Sequence, residues 1–140
     1  MASLSRRQNP LVLLVEDDSG LREAVVKGLT KAGYQVAAAG TRREAVRAAH
    51  DLNPDAVVMD VLLPDGEGPV AAREIRDQDG LAAVPVLFVT ARAPAAVGDS
   101  LFPAPVLFKP FTYRQLVASV RALVRPPGPA PSPGSAAPAR

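Results

Sequence analysis

Residues 11–33, LVLLVEDDSGLREAVVKGLTKAG, decide the architecture. Leu11 to Val15 is an unbroken apolar run, the right length for one strand and too short for a buried helix. A strand that is apolar at every position, rather than every second one, is covered on both faces, as strands of parallel sheets are. Glu16, Asp17 and Asp18 follow at once. Leu21, Val25 and Leu29 then recur at i, i+4 and i+8, the spacing of one helix face. Gly33 supplies the stop. The stretch therefore reads as a buried strand, an acidic turn and an amphipathic helix.

The same unit recurs along the chain. Val36 to Ala39 is a weaker second strand. Thr41 and Glu44 have the spacing of a capping box, opening a helix whose inner face is Ala45, Ala48, Ala49 and Leu52 and which stops at Asn53-Pro54. Ala56 to Met59 is a third strand, and Gly68 to Asp77 a helix with Ala71 and Ile75 inside. Val84 to Val89 is a fourth strand and Val106 to Phe108 a short fifth. Thr112 and Gln115 cap a last helix that turns Leu116, Val120 and Leu123 or Val124 inward. Five β–α units with continuous apolar strands imply an α/β protein with a five-stranded parallel sheet, doubly wound.

Residues 10–125 form this unit. Residues 1–9 read as a flexible N-terminus. Residues 126–140, with six prolines and almost no large apolar group, read as a disordered tail or the start of a linker. Cysteine is absent and His50 is the single histidine, which excludes disulfides, thiolate sites and His-rich zinc sites. The apolar runs are far too short to span a bilayer, and no signal-peptide pattern is present, so a cytoplasmic location is expected. The pI near 9.4 owes much to Arg6, Arg7 and Arg140 in the tails; between Pro10 and Arg125, 13 Lys and Arg face 14 Asp and Glu. No basic stripe for nucleic acid remains.

In an open parallel sheet, functional groups lie just past the carboxyl ends of the strands. Glu16, Asp17 and Asp18 stand there after the first strand, Asp60 after the third, Thr90 after the fourth and Lys109 after the fifth. Asp18 and Ser19 suit a helix N-cap. Capping does not account for three acids, a hydroxyl and a lysine arriving from four strands.

The motifs Val15-Glu16-Asp17-Asp18, Met59-Asp60-Val61-Leu62-Leu63-Pro64-Asp65-Gly66-Glu67-Gly68, Val89-Thr90-Ala91 and Phe108-Lys109-Pro110-Phe111 resemble those of the response-regulator receiver domain of two-component signalling, over roughly residues 11 to 125. The resemblance implies a flavodoxin-like receiver fold. It implies Asp60 as phosphoacceptor, and Mg²⁺ held by Glu16, Asp17, Asp60 and the backbone carbonyl of Leu62. Lys109 and Thr90 would bind phosphoryl oxygens, and small Ala91 would leave phosphorus open to in-line attack. The partners implied are a sensor histidine kinase or a histidine phosphotransfer protein and a downstream protein, with no nucleic acid bound by this chain alone and no membrane. The Lys109–Pro110 bond would be cis.

Two positions depart from the family pattern. Val106 stands where an aromatic switch residue is usual, and Phe108, two residues on, reads as core. The 19-residue interval from Thr90 to Lys109 is shorter than usual and holds Pro94, Gly98, Pro103 and Pro105, so a short or irregular fourth helix is expected, over Ala95 to Leu101. These departures keep a second function in view, a phosphorylation-independent protein-interaction module on the same scaffold. Arg92 and Leu62 border the dephosphorylation site and read equally as tuning residues and as exposed loop. A haloacid-dehalogenase-type phosphatase would need a second Asp where Leu62 stands, and a dinucleotide fold would need glycines where Glu16 to Ser19 stand.

Overall fold

The computed structural model describes residues 8–91 and 103–126. Its elements are β1 (Leu11–Val15), α1 (Ser19–Lys31), β2 (Gln35–Ala39), α2 (Arg42–Leu52), β3 (Ala56–Asp60), β4 (Leu62–Leu63), β5 (Gly66–Glu67), α3 (Gly68–Arg76), β6 (Val86–Thr90), β7 (Val106–Phe108) and α4 (Tyr113–Leu123). Five strands form one parallel sheet in the order β2-β1-β3-β6-β7, and β4 and β5 form a separate antiparallel hairpin. The doubly wound parallel sheet expected from the apolar runs is therefore the fold.

The pleat sorts each central strand between two cores. Leu13, Val15, Val57, Met59, Val86 and Phe88 face α2 and α3, while Val12, Leu14, Val58, Leu87 and Val89 face α1 and α4. On the first side the helices offer mainly Ala45, Ala49, Ala71 and Ala72, and the volume comes from Met59, Phe88 and Ile75. Small helix residues let α2 and α3 lie close to the sheet. On the second side Leu29, Tyr34, Leu116 and Val120 fill the space. Burying each such large side chain contributes about 1.5–3 kcal/mol.

The ends of the unit are tied down. The Gln35 amide donates to the Pro10 carbonyl at 2.9 Å, and the Leu11 amide to Asp55 Oδ2 at 2.8 Å. The Tyr34 hydroxyl donates to the Val124 carbonyl at 2.7 Å, just past α4.

Several local readings need correction. Leu52 is 41% exposed instead of lying on the inner face of α2, because that face is rotated so that Val46 packs against the core beside Ala45 and Ala49. Glu44 accepts from the Gly40 amide (2.8 Å) rather than from that of Thr41, although Thr41 caps the Glu44 amide as expected. The fourth strand of the sheet, β6, starts at Val86, after Pro85, whose ring nitrogen has no proton to give a ladder. Val84 is buried ahead of it, its carbonyl accepting from Arg76 Nε and Nη2 at 3.1 and 2.9 Å. β2 reads weakly because it is an edge strand with half-exposed residues. Among the described residues Phe108 is only half-buried and packs into neither core, while Val106 packs on the α2/α3 side. The expected helix over Ala95 to Leu101, Arg92 and most of both tails lie outside the described residues.

The β4–β5 hairpin was not expected, and it presses the start of α3 onto the end of β3. The Gly68 amide donates to the Val61 carbonyl at 2.6 Å, and a Cβ on Gly68 would collide with the carbonyl of Asp60. Backbone on backbone cannot yield as a flexible side chain can. Gly68→Ala is therefore expected to lose about 2 kcal/mol of stability in urea unfolding, as overpacking does; unchanged stability would mean that this contact is not a constraint.

Candidate functional site

The strand order reverses between β1 and β3, and crevices at such points are where open α/β sheets bind ligands. Met59 pairs with Val15, so Asp60 and Glu16 emerge side by side at the same edge. Glu16 continues the line of β1, its amide donating to the Ala39 carbonyl at 2.9 Å. Arg22, one turn into α1, reaches back and donates from Nη1 to the Glu16 carbonyl at 2.7 Å. Glu16 is 4% exposed and Asp60 8% exposed, whereas Asp17 is open to solvent. Carboxylate oxygens of all three lie within 4.8 Å of one another.

Such a group of acids needs a counter-charge, and Lys109 provides it. Its Nζ donates to Glu16 Oε1 at 3.0 Å and to Asp60 Oδ2 at 2.9 Å. Its backbone is fixed by the Lys109 amide donating to the Thr90 carbonyl at 2.8 Å, and the peptide bond to Pro110 is cis. The other oxygens are held too. Glu16 Oε2 accepts from the Asp18 amide at 3.1 Å, and Asp60 Oδ1 from the Leu62 amide at 3.1 Å. Asp18 also caps α1 through the Leu21 amide.

The titration behaviour follows from this packing. Burial pushes the Glu16 carboxyl above its ordinary value, against the hydrogen bonds from Asp18 and Lys109, and the nearby Asp60 charge pushes the same way. Burial acts to lower the Lys109 pKa, but hydrogen bonds to Asp60 and Glu16 outweigh it, so the ammonium stays charged at and above the usual lysine range. Among the described residues three carboxylates face one ammonium. The surplus of negative charge, all from hard oxygen donors and open on the Asp17 side, fits a small divalent cation.

The structure thus brings together Glu16, Asp17, Asp60, Lys109 and the Leu62 backbone. Thr90 is buried at the end of β6, one residue beyond Val89, which pairs with Asp60. The reading from sequence missed Arg22, which no strand-end rule reveals. It also missed the polar links of the hairpin, where the Asp65 carboxylate accepts from the Arg42 and Arg43 amides at 2.6 and 3.0 Å. Those backbone hydrogen bonds hold the Asp65 carboxyl below its usual range. A cavity of about 930 Å³ lies elsewhere, between α2 and α3, and is lined by Arg42, His50, Glu74 and Gln78 among others.

Residues 12–121 match the family described as the response regulator receiver domain. The transcriptional regulatory protein PrrA of Mycobacterium bovis is 38% identical over 122 residues, which is 84% of this chain and 51% of PrrA. The transcriptional regulatory protein GltR of Pseudomonas aeruginosa is 34% identical, over 81% of this chain and 48% of GltR. The chain spans about half the length of these relatives. Among solved structures, the receiver domain of the Pseudomonas aeruginosa sensor histidine kinase PA1611, with a magnesium ion coordinated in its active-site cleft, superimposes with a TM-score of 0.76 at 30% identity, over 82% of this chain and 97% of that one. The Vibrio cholerae chemotaxis protein CheY4 does so with a TM-score of 0.76 at 28% identity, over 83% and 99%. With the fold, the strand-end acids and the family match in agreement, this chain belongs to the response regulator receiver domains of two-component signalling.

Proposed function

We propose that residues 10–125 are a cytoplasmic phosphoacceptor switch, not an enzyme, and that Asp60 takes the phosphoryl group from a sensor histidine kinase or a histidine phosphotransfer protein. The observation that carries this reading is the buried Asp60 carboxylate, ion-paired to Lys109 and set beside Glu16 and Asp17 at the strand-order reversal. An Asp60 oxygen forms the new P–O bond, the P–N bond of the donor's phosphohistidine breaks, and the imidazole leaves and is reprotonated. Both Asp60 oxygens are engaged, Oδ1 by the Leu62 amide and Oδ2 by Lys109. Each accepts one hydrogen bond and keeps a further lone pair for attack. Oδ2 is the natural choice, because the Lys109 ammonium can move from it to a phosphoryl oxygen without losing a charge partner. Thr90 gives its hydroxyl to another phosphoryl oxygen.

Mg²⁺, when bound by Glu16, Asp17, Asp60 and the Leu62 carbonyl, supplies positive charge against the like-charge repulsion of carboxylate and phosphoryl. That the PA1611 receiver carries magnesium in its cleft supports the same ion here. Among the described residues no helix is long and apolar enough to cross a membrane. Output is proposed as binding to a partner protein. Val106 favours the second reading at this point alone, since a packed valine at the aromatic position has no ring to move. Under that reading a partner binds equally with and without a phosphoryl mimic.

Incubation with acetyl phosphate and Mg²⁺ is expected to add one phosphoryl mass to the intact chain and none to Asp60→Asn; an adduct that persists in the variant, or none in the parent, overturns the assignment. Lys109→Met, unfolded in the presence of a chelator, is expected to lose about 2 kcal/mol. That is less than a fully buried pair costs, because the Asp17 side of the cluster is wet. Equal stability would mean that the ammonium does not hold the acids together.

A further inference from the structure

We propose that Arg42 is a positioning residue for the acceptor site, acting through the β4–β5 hairpin to place the Leu62 backbone. The inference rests on Asp60 and its neighbours being the site described above, and it concerns what sets that site's geometry.

The hairpin stands directly after Asp60 and has two residue pairs, Leu62 with Glu67 and Leu63 with Gly66. Even longer isolated hairpins are marginal in water, so this one must be held from outside. Leu63 is buried beneath it and fixes its depth. Its lateral position is set by polar contacts that converge on Arg42. The Arg42 and Arg43 amides, in the first turn of α2, donate to the two Asp65 carboxylate oxygens. With Thr41 capping the Glu44 amide, three of the four orphan donors at that helix start are satisfied, two of them by the hairpin. The Arg42 side chain then crosses the hairpin tip. Its Nε donates to the Asp65 carbonyl at 3.2 Å, and its Nη1 donates to Glu74 Oε1 and Oε2 on α3 at 2.7 and 2.9 Å. Its stem lies over Gly66, so closely that a Cβ there would come within 2.9 Å of Arg42 Cδ and Nε.

One side chain thus ties α2, the hairpin and α3 together. The hairpin in turn carries the Leu62 amide that holds Asp60 Oδ1, and the Leu62 carbonyl assigned above to the cation. Ligand atoms must sit within about 0.5 Å of their working positions. A lysine could meet Glu74 but could not also serve the Asp65 carbonyl in the same way, because the guanidinium reaches the two from separate nitrogens, Nη1 and Nε, whereas an ammonium has a single nitrogen at the end of its stem.

The test is a Mg²⁺ titration of the full chain followed by ¹⁵N–¹H spectra at the Leu62 amide, with the half-saturating Mg²⁺ and the maximal rate of acetyl phosphate labelling measured in parallel. Arg42→Gln is expected to weaken Mg²⁺ binding roughly 10-fold, the usual scale for residues that orient metal ligands, and to raise half-saturating Mg²⁺ by the same factor while leaving the rate at saturation nearly intact. Arg42→Lys should recover only part of the loss. Arg47→Gln, on the same helix and off the hairpin, should match the parent. If Arg42→Gln fails to fold, Glu74→Gln, which removes the guanidinium's anchor and keeps the Asp65 cap, decides instead, with a loss in the same direction expected. Unchanged Mg²⁺ affinity in a folded Arg42→Gln or Glu74→Gln chain, or no response of Leu62 to Mg²⁺ in the parent, overturns the proposal. Weakened Mg²⁺ binding in a chain that never takes the phosphoryl group would leave Arg42's role standing and remove the acceptor reading instead.

Discussion

The ammonium of Lys109, shared between Glu16 and Asp60, is the interaction on which the rest of the site depends. It joins the ends of three parallel strands, β1, β3 and β7, that would otherwise bring two buried carboxylates together without compensation. The charge is placed by backbone geometry, through the Lys109 amide's hydrogen bond to the Thr90 carbonyl. The pair is also an unfinished one. Burial leaves the Glu16 carboxyl reluctant to ionise, and one cation cannot neutralise three acids. The site's surplus of negative charge is what the proposed cation would offset.

The second constraint is steric. α3 begins where only a glycine fits against the Asp60 carbonyl, and the hairpin between Asp60 and Gly68 is held by Arg42, Asp65 and Glu74. Asp60 is therefore gripped from the β1 and β7 side by charge, and from the α2 and α3 side by backbone contact and a guanidinium. The large cavity between α2 and α3 borders that second grip, since Arg42, Asp65 and Glu74 all line it.

Much of this was legible in the chain itself. Central strands in a doubly covered sheet are apolar at every position, so β1, β3 and β6 announce themselves. The register of a parallel sheet then places Glu16 after β1, Asp60 at the end of β3 and Lys109 after β7 at one edge. Where burial is incomplete the pattern weakens, as at the edge strand β2, at Leu52 on the rotated face of α2, and at Phe108. The hairpin was invisible because two residues per strand carry no periodicity. The Arg42 clamp was invisible because its partners lie 23 and 32 positions away, at Asp65 and Glu74, and exposed charges on a helix show no pattern of their own.

The most direct measurement of the central claim is a crystal structure of the chain with Mg²⁺ and beryllofluoride, a stable mimic of a phosphoryl group on aspartate. The expected structure has beryllium bonded to Asp60, Mg²⁺ held by Glu16, Asp17, Asp60 and the Leu62 carbonyl, and the Lys109 ammonium moved from Asp60 onto a fluorine. A structure with Asp60 unmodified and Lys109 still bridging Glu16 and Asp60, under conditions where Mg²⁺ and beryllofluoride are saturating, would contradict it.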